Sequence, residues 1–106
     1  MIEENKILEI VNIIAKGYNP DKIILFGSYA KGTSDENSDL DLFVLKDTEL
    51  SKSKRVVQVR RLLYGAMVPM DLVVFTPQEV DESKDNEFSF VNEILNTGQV
   101  MYERAS

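Results

Sequence analysis

The chain has 106 residues, enough for one domain over 1–106 with a single core, and 43% hydrophobic with 28% charged residues is a globular balance, not a disordered one. Twelve basic against 18 acidic residues leave a net charge of −6, which argues against a broad basic face gripping nucleic acid. The absence of Cys and His excludes disulfide scaffolds, thiolate or imidazole metal sites and Ser-His or Cys-His triads.

Any chemistry therefore falls to carboxylates, hydroxyls, amines, guanidinium groups and backbone. Metals that suit such ligands are hard ions such as Mg²⁺ or Mn²⁺. The first residues, Met1-Ile2-Glu3-Glu4-Asn5-Lys6, are acidic and no long apolar run follows. A membrane span needs about 20 apolar residues, so a soluble, cytoplasmic protein with no membrane contact is expected.

Residues 2–16 predict an amphipathic helix, with Ile7, Ile10, Val11 and Ile14 at helical spacing and Gly17 as its stop. After the turn Asn19-Pro20-Asp21, the apolar run in Lys22 to Phe26 reads as a strand buried on both faces. Gly27-Ser28 ends it, and Ser28 to Lys31 fits a short helical turn closed by Gly32. Thr33 to Ser38 is a polar loop, and Asp39 to Leu45 is a second strand. Val59, Leu62, Leu63 and Ala66 mark a helix over 52–66, followed by a third strand, Met70 to Phe75. Thr76-Pro77 starts a short helix, Asp81 to Glu87 reads as a charged linker, and Phe88 to Asn96 as the last helix. Val100, Met101 and Tyr102 fit a short edge strand. The expected fold class is α+β: a small mixed sheet with helices packed on it.

Three features carry chemistry: Gly27-Ser28, Asp39-Leu40-Asp41 and Asp71. Residues i and i+2 of a strand share a face, so Asp39 and Asp41 project together. Strands one and two must be antiparallel to bring the glycine beside the aspartates. The helix at 52–66 then returns the chain, so strand three runs parallel to strand two and delivers Asp71 to the same end. Three clustered carboxylates repel unless protonated or bound to cations, and all-oxygen ligands suit Mg²⁺. The backbone N–H groups after Gly27 suit phosphate oxygens, and a glycine lets phosphate approach the backbone. A phosphate cradle beside such a trio points to phosphoryl or nucleotidyl transfer with two metals.

Gly27-Ser28, ten intervening residues and Asp39-Leu40-Asp41 resemble the signature of the DNA polymerase beta-like nucleotidyltransferases. The stretch from Phe26 to Gly32 and from Ser38 to Val44 is similar to the minimal nucleotidyltransferase branch, small prokaryotic proteins often encoded beside a helical HEPN-domain protein. The resemblance covers nearly the whole chain and implies the polymerase beta-like fold. It implies that Asp39 and Asp41 hold two Mg²⁺ ions, and that Asp71 completes one site and helps activate the acceptor. Gly27 and Ser28 would hold the β- and γ-phosphates of ATP. Lys31 stands where Arg is frequent, keeping the charge without the fork of donors. In toxin–antitoxin members the acceptor is a tyrosine of the HEPN partner, and adenylylation silences it. Two alternatives stay open: an antitoxin acting by contact alone, and a small-molecule (antibiotic) nucleotidyltransferase. Homo-oligomerisation is also open. With so short a chain, the acceptor surface is expected from another molecule.

Residues 51–61 carry Lys52, Lys54, Arg55, Arg60 and Arg61 and no acid. The rest of the chain has seven basic residues against 18 acids, a net of −11. This reads as a solvated helix face, with Arg60 at the flank of the apolar stripe as the candidate for a phosphate contact. The remaining basic face offers a dock for an acidic partner. Tyr29 and Tyr64 read as packing or rim residues, with stacking on a nucleobase as the sharper role.

Overall fold

The computed structural model describes residues 1–86 and 89–105. The order is α1 (Glu4–Tyr18), β1 (Lys22–Phe26), α2 (Ser28–Lys31), β2 (Leu40–Leu45), α3 (Lys52–Leu62), β3 (Met70–Phe75), α4 (Pro77–Ser83), α5 (Phe90–Thr97) and β4 (Gln99–Glu103). The strands form one mixed sheet in the order β3-β2-β1-β4. β1 is antiparallel to both neighbours, and β2 and β3 are parallel, the arrangement the crossover through α3 requires.

Alternation along the strands divides the core. Ile23, Leu25, Leu40, Leu42, Val44, Leu72 and Val74 pack with α1 and α3 on one face. Ile24 and Phe43 meet Val91 and Ile94 of α5 on the other, with Phe26, Val73 and Phe75 at its margin. Among the described residues no helix is long and apolar enough to cross a membrane.

Several boundaries move from those the sequence suggests. α1 continues through Gly17 to Tyr18, which is buried, and Asn19 in the left-handed region (φ 52°) ends it before the buried Pro20. Gly17 serves close packing instead: a Cβ there would lie 2.8 Å from Leu62 Cδ2 of α3. β2 begins at Leu40, so Asp39 is the last residue of the loop. α3 stops at Leu62 rather than at Ala66, because Gly65 and Met67 take positive φ values of 87° and 57°. α4 runs through Asp81 into the expected linker. It is nucleated by a capping box in which Thr76 accepts from the Glu79 N–H and Glu79 from the Thr76 N–H. α5 starts at Phe90, capped by Ser89. Glu87 and Phe88, the expected end of the linker and start of this helix, lie outside the described residues.

Arg55 corrects the reading of a wholly solvated basic face. It is 6% exposed, and its guanidinium binds Glu79 at 2.7 Å, the Leu50 carbonyl at 2.6 Å and the Val74 carbonyl at 3.1 Å. The residue thus ties α3 to the end of β3 and to the cap of α4.

Candidate active site

One end of the sheet collects the residues that the sequence singles out. β1 ends at Phe26, paired with Asp41 on β2. Gly27 follows with φ 74° and ψ −152°, a conformation open to glycine and strained for other residues. A Cβ at Gly27 would lie 2.2 Å from Asp41 Oδ2, so the backbone there runs directly against the carboxylate. α2 begins at once with Ser28. The Lys31 N–H bonds the Gly27 carbonyl at 3.1 Å, and Gly32 closes the turn in the left-handed region. By helix geometry the N–H groups that open α2 have no partner within it and are donors an anion could use.

The loop after α2 delivers the acids. Asp35 and Ser38 lock it: the Asn37 N–H bonds Asp35 Oδ1 at 2.8 Å and the Asp35 N–H bonds Ser38 Oγ at 2.9 Å. The Leu40 N–H then takes the Pro69 carbonyl at 3.0 Å and opens the parallel ladder. In this register Asp41 lies opposite Asp71, on the face that also carries Phe43 and Val73. Asp41 is partly buried, whereas Asp39 and Asp71 are exposed. Burial pushes the Asp41 carboxyl above its ordinary value; the Asp71 charge, a hydrogen bond with Asp71 and the Asp39 charge push it further the same way.

The site therefore concentrates negative charge, and among the described residues no ion pair involves Asp39, Asp41 or Asp71. Among the described residues no three acids close around one point. The tight unit is the Asp41–Asp71 pair, with Asp39 beside it. Oxygen-only ligands with an unrelieved negative field fit a hard divalent cation such as Mg²⁺.

Among the described residues neither basic candidate forms an ion pair with these acids. Lys31 is exposed at the end of α2. Arg60 reaches the start of β3, where its Nη2 donates to the Met70 carbonyl at 3.2 Å; Met70 packs on the α1 and α3 face, opposite the carboxylates. Tyr29 packs against the core, and its hydroxyl accepts from the Ile2 N–H at 2.9 Å, so it fastens the N-terminus to this end. Beside it lies an open groove of about 480 Å³, bordered by Ile2, Tyr29, Ser38, Met67 and Pro69. None of the three aspartates lines this groove. The N-terminal segment carried no motif that could have placed it here. Tyr64 is 96% exposed on the turn after α3.

Comparison with known proteins agrees with this architecture. Residues 8–106 match the family model described as polymerase beta, nucleotidyltransferase. A protein of Methanocaldococcus jannaschii named as a candidate protein adenylyltransferase is 34% identical over 104 residues, covering 96% of this chain and all of the relative. A second protein of that organism, named likewise, is 31% identical over 78 residues, 74% of this chain and 75% of the relative. Among solved structures, a toxin–antitoxin crystallised with AMP-PNP superposes with a TM-score of 0.64 and 25% identity, over 97% of this chain and 75% of the other. A candidate nucleotidyltransferase of Sulfolobus solfataricus shares the fold, with a TM-score of 0.65 and 22% identity over 94% of this chain and 79% of that one.

Proposed function

The chain belongs to the polymerase beta nucleotidyltransferase family, and from that premise we propose that it transfers AMP from ATP to a protein hydroxyl. The proposed acceptor is a tyrosine of a HEPN-domain partner, in a cytoplasmic toxin–antitoxin pair, with the whole of 1–106 acting as one catalytic domain. The relatives' names support a protein acceptor, and the AMP-PNP complex of the toxin–antitoxin neighbour supports a nucleotide substrate. The observation that carries the reading is the register that sets Asp41 opposite Asp71 while Gly27 lies against Asp41.

In this reading Asp39 and Asp41 hold two Mg²⁺ ions and Asp71 completes one of the sites. Bound there, Mg²⁺ supplies charge neutralisation for the triphosphate and for the leaving pyrophosphate. The backbone after Gly27 and the Ser28 hydroxyl hold the β- and γ-phosphates, with Lys31 at the end of the same turn. Arg60 reaches this end of the molecule only on the far side of β3, so a phosphate role requires it to leave the Met70 carbonyl. The acceptor oxygen attacks the α-phosphorus in line, the bond to the bridging oxygen breaks, and pyrophosphate departs. In the same reading Asp71 takes the proton that the hydroxyl loses.

The test is intact mass spectrometry of the proposed HEPN-domain partner, after incubation with the chain, Mg²⁺ and ATP. The expected result is a gain of one adenylyl group per modified tyrosine and release of pyrophosphate, both lost on Asp41→Asn. An unmodified partner that is nonetheless neutralised, also by the Asp39→Asn plus Asp41→Asn variant, would replace transfer with inhibition by contact.

A further inference from the structure

The segment between Glu49 and Asp71 contains no acid, in a chain of net charge −6. Burial of Arg55 in its pair with Glu79 removes one of its cations from the surface and leaves an outward face on α3 that carries Lys54, Val57 and Arg61. Positions three and four residues from Lys54 and Arg61 hold no acid, and among the described residues neither forms an ion pair. The face continues past the helix. The Tyr64 N–H bonds the Arg61 carbonyl at 3.4 Å, so Tyr64 follows one helical step beyond Arg61. Left-handed backbone at Gly65 and Met67 then turns the chain and leaves Tyr64 96% and Met67 93% exposed. Val57 is 46% exposed on the same face.

Two large side chains held almost wholly in water, on the turn that follows the cationic helix face, match the composition of protein interfaces, which are enriched in Tyr, Met and Arg. The turn leads through Pro69 into β3, whose second residue is Asp71, so a segment that covers it lies at the same end of the sheet as the candidate site, on the α3 side. We propose that the outer face of α3 and the 63–69 turn form the docking surface for an acidic protein segment that presents the acceptor. The occupant is a protein and not RNA. Lys54 and Arg61 neutralise too few phosphates to hold a polyanion against the acidic remainder of the chain, whereas Tyr64, Met67 and Val57 are apolar anchors. The inference rests on the protein-acceptor reading for its purpose, but its binding is measurable without transfer.

The experiment titrates the full chain into a fluorescein-labelled random copolymer of glutamate and tyrosine, with a lysine–tyrosine copolymer and poly(A) as comparison probes. The acidic copolymer is expected to bind, more weakly as salt rises, and Lys54→Glu plus Arg61→Glu to weaken it at least about tenfold. Tyr64→Ala plus Met67→Ala should weaken it by at least about tenfold too, since both side chains are exposed and their loss does not disturb the core. A control pair of equal charge, Lys16→Glu plus Lys84→Glu, should stay within about twofold of the parent. Equal binding by the α3 variant, an equal loss in the control pair, or tighter binding of poly(A) overturns the proposal. Copolymer that binds as expected while the HEPN partner gains no AMP overturns the transfer reading and leaves the docking surface standing. AMP incorporation that is indifferent to Lys54, Arg61, Tyr64 and Met67 does the reverse.

Discussion

Replacing Asp41 with Asn removes one charge from a site that is charged beyond what the fold itself tolerates well, so the variant is expected to be more stable and inactive. Asp41 and Asp71 face each other across the parallel ladder, and Asp39 adds a third carboxylate. Two unit charges about 4 Å apart interact by about 1 kcal/mol in bulk water and about 4 kcal/mol at the dielectric typical of a protein surface. Asp41 is only partly buried and its two neighbours are exposed, so solvent screening places the repulsion in the lower part of that range, about 1–2 kcal/mol. Asn keeps the shape and can donate to Asp71 where the carboxylate repels it. A gain of that size raises the melting temperature of a domain this small by roughly 4–12 °C.

The pH dependence has a definite sign. The Asp41 carboxyl is raised in the folded state, first by burial and then by Asp71 and Asp39, above its ordinary value of 3.8. Stability from the protonated form is therefore complete below that ordinary value and is lost as pH rises through the raised folded one. The advantage of Asp41→Asn should accordingly be near zero at pH 3 and reach its full size at pH 7. Differential scanning calorimetry across pH tests this, and added Mg²⁺ should raise the parent's melting temperature and narrow the gap. A variant no more stable than the parent at pH 7, or one whose advantage persists unchanged at pH 3, would refute the electrostatic reasoning.

Gly27→Ala puts a Cβ 2.2 Å from Asp41 Oδ2 at φ 74°. It should cost about 1–3 kcal/mol in urea denaturation and at least about 100-fold in AMP transfer, because the cradle and the carboxylate move together. Arg55→Ala leaves Glu79 and two backbone carbonyls without their partner, and its urea midpoint should report a loss of about 2–4 kcal/mol. Burial raises the Glu79 carboxyl, but its bonds with Arg55 and Thr76 outweigh this and hold it below the ordinary 4.5. The parent's margin over Arg55→Ala is thus present at neutral pH and should shrink as pH falls through that lowered value. Tyr18→Phe removes a buried hydroxyl that has no hydrogen-bond partner among the described residues, so thermal melts should show no loss and a gain of up to about 1 kcal/mol.

Much of this site is legible in the sequence because its acids interrupt apolar strands. Asp41 sits between Leu40 and Leu42, and Asp71 between Met70 and Leu72, at positions where a strand would otherwise continue its apolar pattern. Gly27 marks an abrupt end to Ile23-Ile24-Leu25-Phe26, and the short loops around these elements leave few ways to connect them. Arg55 was not legible. Nothing in its neighbourhood distinguishes it from Lys54, because its partner Glu79 is 24 residues away on a helix whose cap exists only once β3 has ended. Helix ends were misjudged for a similar reason. Gly17 looks like a stop, yet contact with Leu62 and burial of Tyr18 carry α1 past it.

The register of the parallel ladder matters more than any single motif residue. Side chains alternate faces, so a one-residue slip of β3 against β2 would send Asp71 to the face of α1 and α3 and bring Met70 or Leu72 opposite Asp41. Burial sets the register against that slip: Leu72 and Val74 belong to the core beneath α1 and α3, and the Phe43 and Phe75 rings stack 5.3 Å apart on the other face. Hydrophobic packing along the strands thus positions two carboxylates that repel each other. The stability drawn from that packing keeps Asp41 and Asp71 together against their mutual repulsion, which is why relieving the repulsion at Asp41 should strengthen the fold while ending the chemistry.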